Sequence, residues 1–139
     1  MIVLDTNVLS EALRRHPADS VSRWMKAQPA TTLFTTTICE AEIFYGLALM
    51  PAGHRRTQLA QAVSAIFEED FAQRILPFDS AAARAFAAIA ARRRRLGRPI
   101  SEFDAQMAAI AHSRGAAIAT RNVDDFADCD IRVISPWEG

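Results

Sequence analysis

Apolar positions along this chain follow two alternating rhythms. Short runs of consecutive apolar or β-branched residues alternate with longer stretches where apolar residues recur every three or four positions. Ile2, Val3 and Leu4 form the first run, which suits a strand buried on both faces. Val8, Leu9, Ala12 and Leu13 follow at helical spacing. Thr31–Thr37 (TTLFTTT) predicts a second strand, Arg74–Phe78 (RILPF) a third, Ala116–Thr120 (AAIAT) a fourth and Ile131–Ile134 (IRVI) a fifth. Between them, helical spacing covers Ser20–Gln28, Ile38–Leu49, His54–Phe71, a stretch from Asp79 or Ser80 to Leu96, and Ser101–Arg114. Pro17, Pro29, Pro51, Gly53, Gly97 and Gly115 punctuate these elements. Strands alternating with helices predict an α/β fold with a central, mostly parallel sheet of about five strands flanked by helices. No repeat, low-complexity tract or linker interrupts the pattern, so residues 1–139 are expected to form one domain.

Acids fall where strands give way to helices. Asp5 directly follows the first strand and precedes Thr6 and Asn7, both good capping types. Carboxyl ends of parallel strands are where ligands bind in open α/β sheets. An isolated carboxylate there is costly without a cation. Asp5 therefore reads either as a metal holder or as a helix cap. Glu42 is placed about one turn into the helix after strand two, and Asp104 in the first turn of the helix that begins near Ser101. The segment around Asp104, with Phe103, Met107, Ala108 and Ile110, is expected to face the core. Thr120, Arg121 and Asn122 follow strand four, with Asp124 and Asp125 close behind. Singly, each acid reads as a solvated or dipole-favoured residue and Asn122 as a turn residue. Converging on one edge, they would repel one another strongly without a cation, and all-oxygen ligands select Mg²⁺ or Mn²⁺.

Composition narrows the classes. Formal net charge is zero, but of the 16 basic residues only Lys26 is a lysine. That disfavours phosphatases and receiver domains that need a Lys beside a phosphorylated Asp. No G-x-x-x-x-G-K-[ST] stretch exists, which excludes a P-loop nucleotidase. Cys39 and Cys129 form no C-x-x-C pair, so neither a zinc site nor a disulfide framework is implied, and a reducing cytoplasm is the expected compartment. No apolar run is long enough to span a bilayer, and no signal peptide or membrane association is predicted. The run Arg92–Arg95 reads as a solvated face at a helix C-terminus. His16, His54 and His112 have no partner motif and read as surface or packing residues.

Four ordered stretches carry a resemblance: LDTNVLSE (Leu4–Glu11), CEAEIFYG (Cys39–Gly46), EFDAQMAAIA (Glu102–Ala111) and ATRNVDDF (Ala119–Phe126), followed by VISPWEG (Val133–Gly139). They resemble the PIN-domain ribonucleases, specifically the VapC/FitB-type toxins of prokaryotic toxin–antitoxin pairs. The resemblance implies a PIN-domain fold and places Asp5, Glu42 and Asp104 as metal ligands. Asn122 stands at a fourth catalytic position that is acidic in some members; an amide there adds no charge and bears on whether one or two metals bind. Thr6 and Thr120 become supporting hydrogen-bonding residues and Asp125 a supplementary acid. The implied activity is Mg²⁺- or Mn²⁺-dependent endoribonuclease, hydrolysing RNA phosphodiesters with metal-activated water and leaving a 5′-phosphate and a 3′-hydroxyl. Arg121 and Arg98 are candidate RNA-binding residues, with Arg14 and Arg15 near other site elements. A small DNA-binding antitoxin, a homodimer and a toxin–antitoxin hetero-oligomer are the implied assemblies. Asn122 also keeps open a catalytically weak PIN-like RNA- or protein-binding module.

Overall fold

Five short parallel strands form the centre, in the order β3-β2-β1-β4-β5. The computed structural model describes residues 1–138; Gly139, which closes both the predicted domain and the VISPWEG stretch, lies outside the described residues. β1 (Ile2–Leu4) is the middle strand, paired with β2 (Leu33–Thr36) on one side and β4 (Ala117–Ala119) on the other. β3 (Ile75–Leu76) and β5 (Val133–Ile134) close the two edges. Among the described residues, six α-helices flank this sheet: α1 (Thr6–Ala12), α2 (Asp19–Ala27), α3 (Thr37–Leu49), α4 (His54–Ala65), α5 (Ser80–Arg95) and α6 (Glu102–Ser113). The expected α/β architecture, with its parallel sheet of five strands, is what the chain adopts.

The topology positions the site. From β1 the chain runs outward to β2 and β3, then returns to the opposite side of β1 to lay down β4 and β5. The strand order reverses between β1 and β4, and the carboxyl ends beside such a reversal leave a crevice. Asp5 follows β1 and Thr120 follows β4, so both sit at that crevice. The register holds them together: Leu4 pairs with Ala119, and the Asp5 amide donates to the Ala119 carbonyl at 2.9 Å. Beneath lies the core, with Val3, Leu4, Val8, Leu9, Met107, Ile110 and Ile118 buried. Helix α6 is buried nearly all round, from Met107 to Ala111, and its small residues let it pack along α5.

Several boundaries differ from the periodicity. Ala30–Thr32 turns into a short 3-10 helix and Thr37 joins α3, which leaves β2 only Leu33–Thr36 of the Thr-rich stretch. The cause is capping. The buried Thr36 hydroxyl accepts the Cys39 amide at 3.0 Å and starts the helix at once. Glu42 therefore falls just past the first turn of α3, about where the sequence places it. After Ala65 the α4 ladder widens into a π turn over Ile66–Asp70. The Arg74 guanidinium holds that turn against the entrance of β2, donating to the carbonyls of Asp70, Ala30 and Leu33.

Two expectations about burial are overturned. Phe103 is half exposed, whereas Met107, Ala108 and Ile110 are buried, because only the inner side of the first turn of α6 faces the core. Arg92, Arg94 and Arg95 are exposed as expected, but Arg93 is buried, its guanidinium absorbed by backbone carbonyls.

Candidate active site

Asp5 is buried where β1 ends, 5 % exposed. One carboxylate oxygen accepts the Thr6 amide at 2.8 Å, so Asp5 does cap α1. The other accepts the Thr120 hydroxyl at 2.8 Å and the Asn7 side-chain amide at 3.1 Å. The Thr120 hydroxyl oxygen in turn accepts the Asn122 backbone amide at 3.1 Å, and the Asn7 side-chain Oδ1 accepts the Arg121 backbone amide at 3.2 Å. Asn7 and Thr120 thus stitch the end of β1 to the turn after β4. Glu42 projects from α3, with one oxygen accepting the Thr6 hydroxyl at 2.8 Å. Asp104 stands in the first turn of α6, where its amide donates to the capping Ser101 hydroxyl at 3.2 Å.

All three carboxyl groups are harder to ionise than free ones. Burial pushes Asp5 up to about 6, against hydrogen bonds from Thr120 and Thr6, and the charges of Asp104 and Glu42 add to the rise. Burial also raises Glu42, opposed by the Thr6 hydroxyl and reinforced by Asp104. Asp104 is raised by burial and by Asp125, with Ser101 and the Arg93 guanidinium opposing. These cross-effects show that the three acids share one electrostatic neighbourhood. Among the described residues, none of them has a basic side chain within salt-bridge distance.

That donor set suits a hard, hydrated cation. The contrast with the other buried charges is informative: Glu11 accepts the Ala18 amide at 3.0 Å and pairs with Arg14 at 3.3 Å, and Arg93 donates to three backbone carbonyls through Nε and Nη1. Asp5 receives only neutral donors, which leaves its charge uncompensated. Among the described residues, no three His, Cys, Asp or Glu side chains are drawn tightly enough to cage a bare ion. A spread of carboxylates is nevertheless what a cation that keeps part of its water shell takes, since Mg²⁺ binds through one or two carboxylates and several waters.

Other predicted residues lie at the rim. Asn122 is exposed and precedes a 3-10 helix over Val123–Phe126, making no side-chain cap bond. Asp125 is also exposed, close enough for its charge to reach Asp104. The Arg121 guanidinium stacks over the Trp137 ring at 5.3 Å. Arg98 is engaged with Asp128 at 3.1 Å. Arg14 and Arg15, with Arg55, line a groove of about 490 Å³ that opens beside Thr6 and Glu42 and is floored by Leu13, Leu47, Met50 and Val63. Three participants escaped the sequence reading. Asn7 was readable as the polar residue two beyond Asp5 in LDTN. Trp137 and Arg93 act through partners distant in sequence, and no local pattern marks them.

Known proteins resemble this chain throughout. The PIN domain family model matches residues 2–131. Plasmid stability protein StbB of Pseudomonas syringae pv. tomato is 41% identical over 138 residues, covering 99% of both chains. VapC ribonuclease Y4jK of Sinorhizobium fredii is 40% identical over 138 residues with the same coverage. Toxin FitB of Neisseria gonorrhoeae is 34% identical over 137 residues, again covering 99% of each. The solved structure of FitAB bound to an IR36 DNA fragment superposes with a TM-score of 0.93 at 34% identity, covering 99% of this chain and 96% of that one. With its acids at the β1/β4 crevice and its motifs in order, the chain belongs to the PIN-domain family, among the proteins of the VapC and FitB type.

Proposed function

We propose that this protein is the toxin of a type II toxin–antitoxin pair and a Mg²⁺- or Mn²⁺-dependent endoribonuclease. The observation that carries this reading is the buried, uncompensated Asp5, with Glu42 and Asp104 beside it at the crevice where the strand order reverses. Relatives named a VapC ribonuclease and a toxin FitB favour RNA as substrate and toxicity as outcome. Asp5, Glu42 and Asp104 would hold the metal, which supplies charge stabilisation and a more acidic water. Thr6 orients Glu42; Thr120 and Asn7 orient Asp5. Asn122 offers a neutral amide oxygen at the fourth position, which favours one tightly held cation over two, and Asp125 is an additional acid at the rim. The groove beside Glu42, apolar in its floor and Arg-lined at its edge, suits a segment of a cognate antitoxin. A homodimer within a toxin–antitoxin hetero-oligomer is the proposed assembly; Tyr45 and Leu49 of α3, 65% and 68% exposed, are available to such contacts. Among the described residues no helix is long and apolar enough to cross a membrane, and the cytoplasm is the proposed site of action.

Purified, antitoxin-free protein should cut labelled single-stranded or structured RNA with Mg²⁺ or Mn²⁺ and fall silent in EDTA. RNA bound but never cut under either metal would favour the second reading, a binding module, which rests on the amide at Asn122.

Arg121 supplies a more specific expectation. Its guanidinium is exposed at the rim yet held against Trp137, a geometry that lowers the entropy lost on gripping a phosphate. Arg121→Ala should raise KM for RNA severalfold with little change in kcat, and reduce the salt slope of binding by about 1. Trp137→Ala should move KM the same way by less. A fall in kcat at unchanged KM would place Arg121 in the chemistry instead.

A further inference from the structure

Arg93 lies in the last turn of α5, yet it is only 5% exposed. A buried guanidinium seeks partners for its donors, and Nε and Nη1 of this one find them on backbone carbonyls from two separate segments. Its Nε donates to the Arg98 carbonyl at 2.7 Å. Its Nη1 donates to the carbonyls of Asp125 at 2.9 Å and Ala127 at 3.0 Å, with the Cys129 sulfur at 3.7 Å. The first loop runs from α5 into Ser101, the cap of α6, and so to Asp104. The second runs from Asn122 through the 3-10 helix that holds Asp125, to Ala127 and on to Asp130. In that second loop Asp128 and Asp130 adopt φ of 58° and 54°, a left-handed conformation that non-glycine residues keep only where their surroundings hold them. The Arg98–Asp128 ion pair joins the same two loops at the surface.

We infer that Arg93 is a positioning residue of the acidic site: its buried guanidinium fastens the loop that presents Asp104 to the loop that presents Asn122 and Asp125, and so fixes how far apart the two halves of the cation-binding edge stand. The inference rests on the reading that these acids hold a divalent cation. A guanidinium alone has the planar fork to serve both loops at once; an ammonium concentrates its donors on one atom and reaches one loop or the other.

The test is Mn²⁺ titration into the metal-free full chain by calorimetry. Arg93→Lys keeps the charge but not the fork, and Arg93→Gln keeps one carbonyl bond. Val21→Ala on α2, which bears no site residue, serves as a core variant matched for loss of thermal stability. Both Arg93 variants should bind Mn²⁺ about tenfold more weakly, the scale seen when an outer partner of a metal ligand is lost. Val21→Ala should stay within about twofold of wild type, since α2 packs on α1 and on the segment of Trp137 rather than on the two segments that Arg93 fastens. Unchanged binding in Arg93→Lys, or equal weakening in Val21→Ala, would overturn the positioning role. Wild-type protein that takes up no Mn²⁺ would instead overturn the metal reading itself, and this role with it. Hydrogen exchange on the wild type tests the same coupling without a variant. Mn²⁺ should slow exchange of amides 127–130, which hold no ligand, and protection confined to the ligand segments would contradict the inference.

Discussion

Asp5→Asn should abolish RNA cleavage while making the metal-free protein more stable. The loss follows from charge. The amide keeps the shape of the carboxylate but offers a cation one neutral oxygen, and losing several kcal/mol of charge stabilisation corresponds to a rate reduction of about 10³-fold or more. The gain follows from burial. Asp5 is pushed up to about 6 from 3.8, so keeping it ionised at pH 7 costs on the order of 3 kcal/mol. Asn removes that cost. It also forfeits one of the two bonds, from Thr120 and Asn7, that the second oxygen accepts, worth about 1 kcal/mol. A net stabilisation of about 1–2 kcal/mol, a rise in Tm of several degrees, is expected in EDTA. Thermal melts of the two proteins, run beside the cleavage assay, check both halves. A variant that still cuts at the wild-type rate would remove Asp5 from the chemistry, and a variant that melts well below wild type would make its capping role dominant.

The second large effect is on pH dependence. A carboxyl group whose folded pKa lies above its unfolded one binds its proton more tightly when folded. Its contribution is therefore fully present below about 3.8 and is lost as pH rises through about 6. Glu42 and Asp104 are shifted in the same direction and deepen the loss. The difference in stability between wild type and Asp5→Asn, in EDTA, should fall by roughly 2–3 kcal/mol between pH 4 and pH 7. Mn²⁺ should reverse this, adding about 2.7 kcal/mol at one hundred times its Kd. The reversal should fade near pH 5, where protons compete for the same oxygens. A flat difference curve, or Mn²⁺ stabilising equally at pH 5 and pH 8, would mean that the acids neither repel nor share a cation.

Much of this arrangement was legible along the chain because its causes are local. The Ile2–Leu4 run followed at once by Asp5 encodes both a buried strand and the start of α1, and the acids of α3 and α6 announce themselves at junctions. Boundaries slipped where one local preference defeated another. Thr36 could extend β2, but its hydroxyl gains more by capping α3, and this starts the helix at Thr37, one residue earlier than the apolar spacing implies. The Arg92–Arg95 run shows the deeper limit. Nothing in four consecutive arginines says which one turns inward; the decision belongs to carbonyls at Arg98, Asp125 and Ala127 that only the fold brings near. Trp137 is the same case, since its value to Arg121 depends on β4 and the chain end meeting across the site. Phe103 looked interior by its apolarity, and the orientation of the first turn of α6 put it in water instead.

The measurement that bears most directly on the proposed chemistry is the identity of the RNA ends. His16, His54 and His112 are all exposed, and His112 lies at the far end of α6 from Asp104, bonded to the Asp130 carbonyl at 3.1 Å. No histidine is among the groups that act on Asp5, Glu42 or Asp104, which agrees with the proposal that water, rather than the ribose 2′-hydroxyl, is the nucleophile. Mass spectrometry of the fragments from Mn²⁺-dependent cleavage should find 5′-phosphate and 3′-hydroxyl termini, in amounts that vanish with Asp5→Asn. Fragments ending in 2′,3′-cyclic phosphate and beginning with 5′-hydroxyl would mean that the ribose itself attacks, and would contradict hydrolysis at the Asp5, Glu42 and Asp104 site.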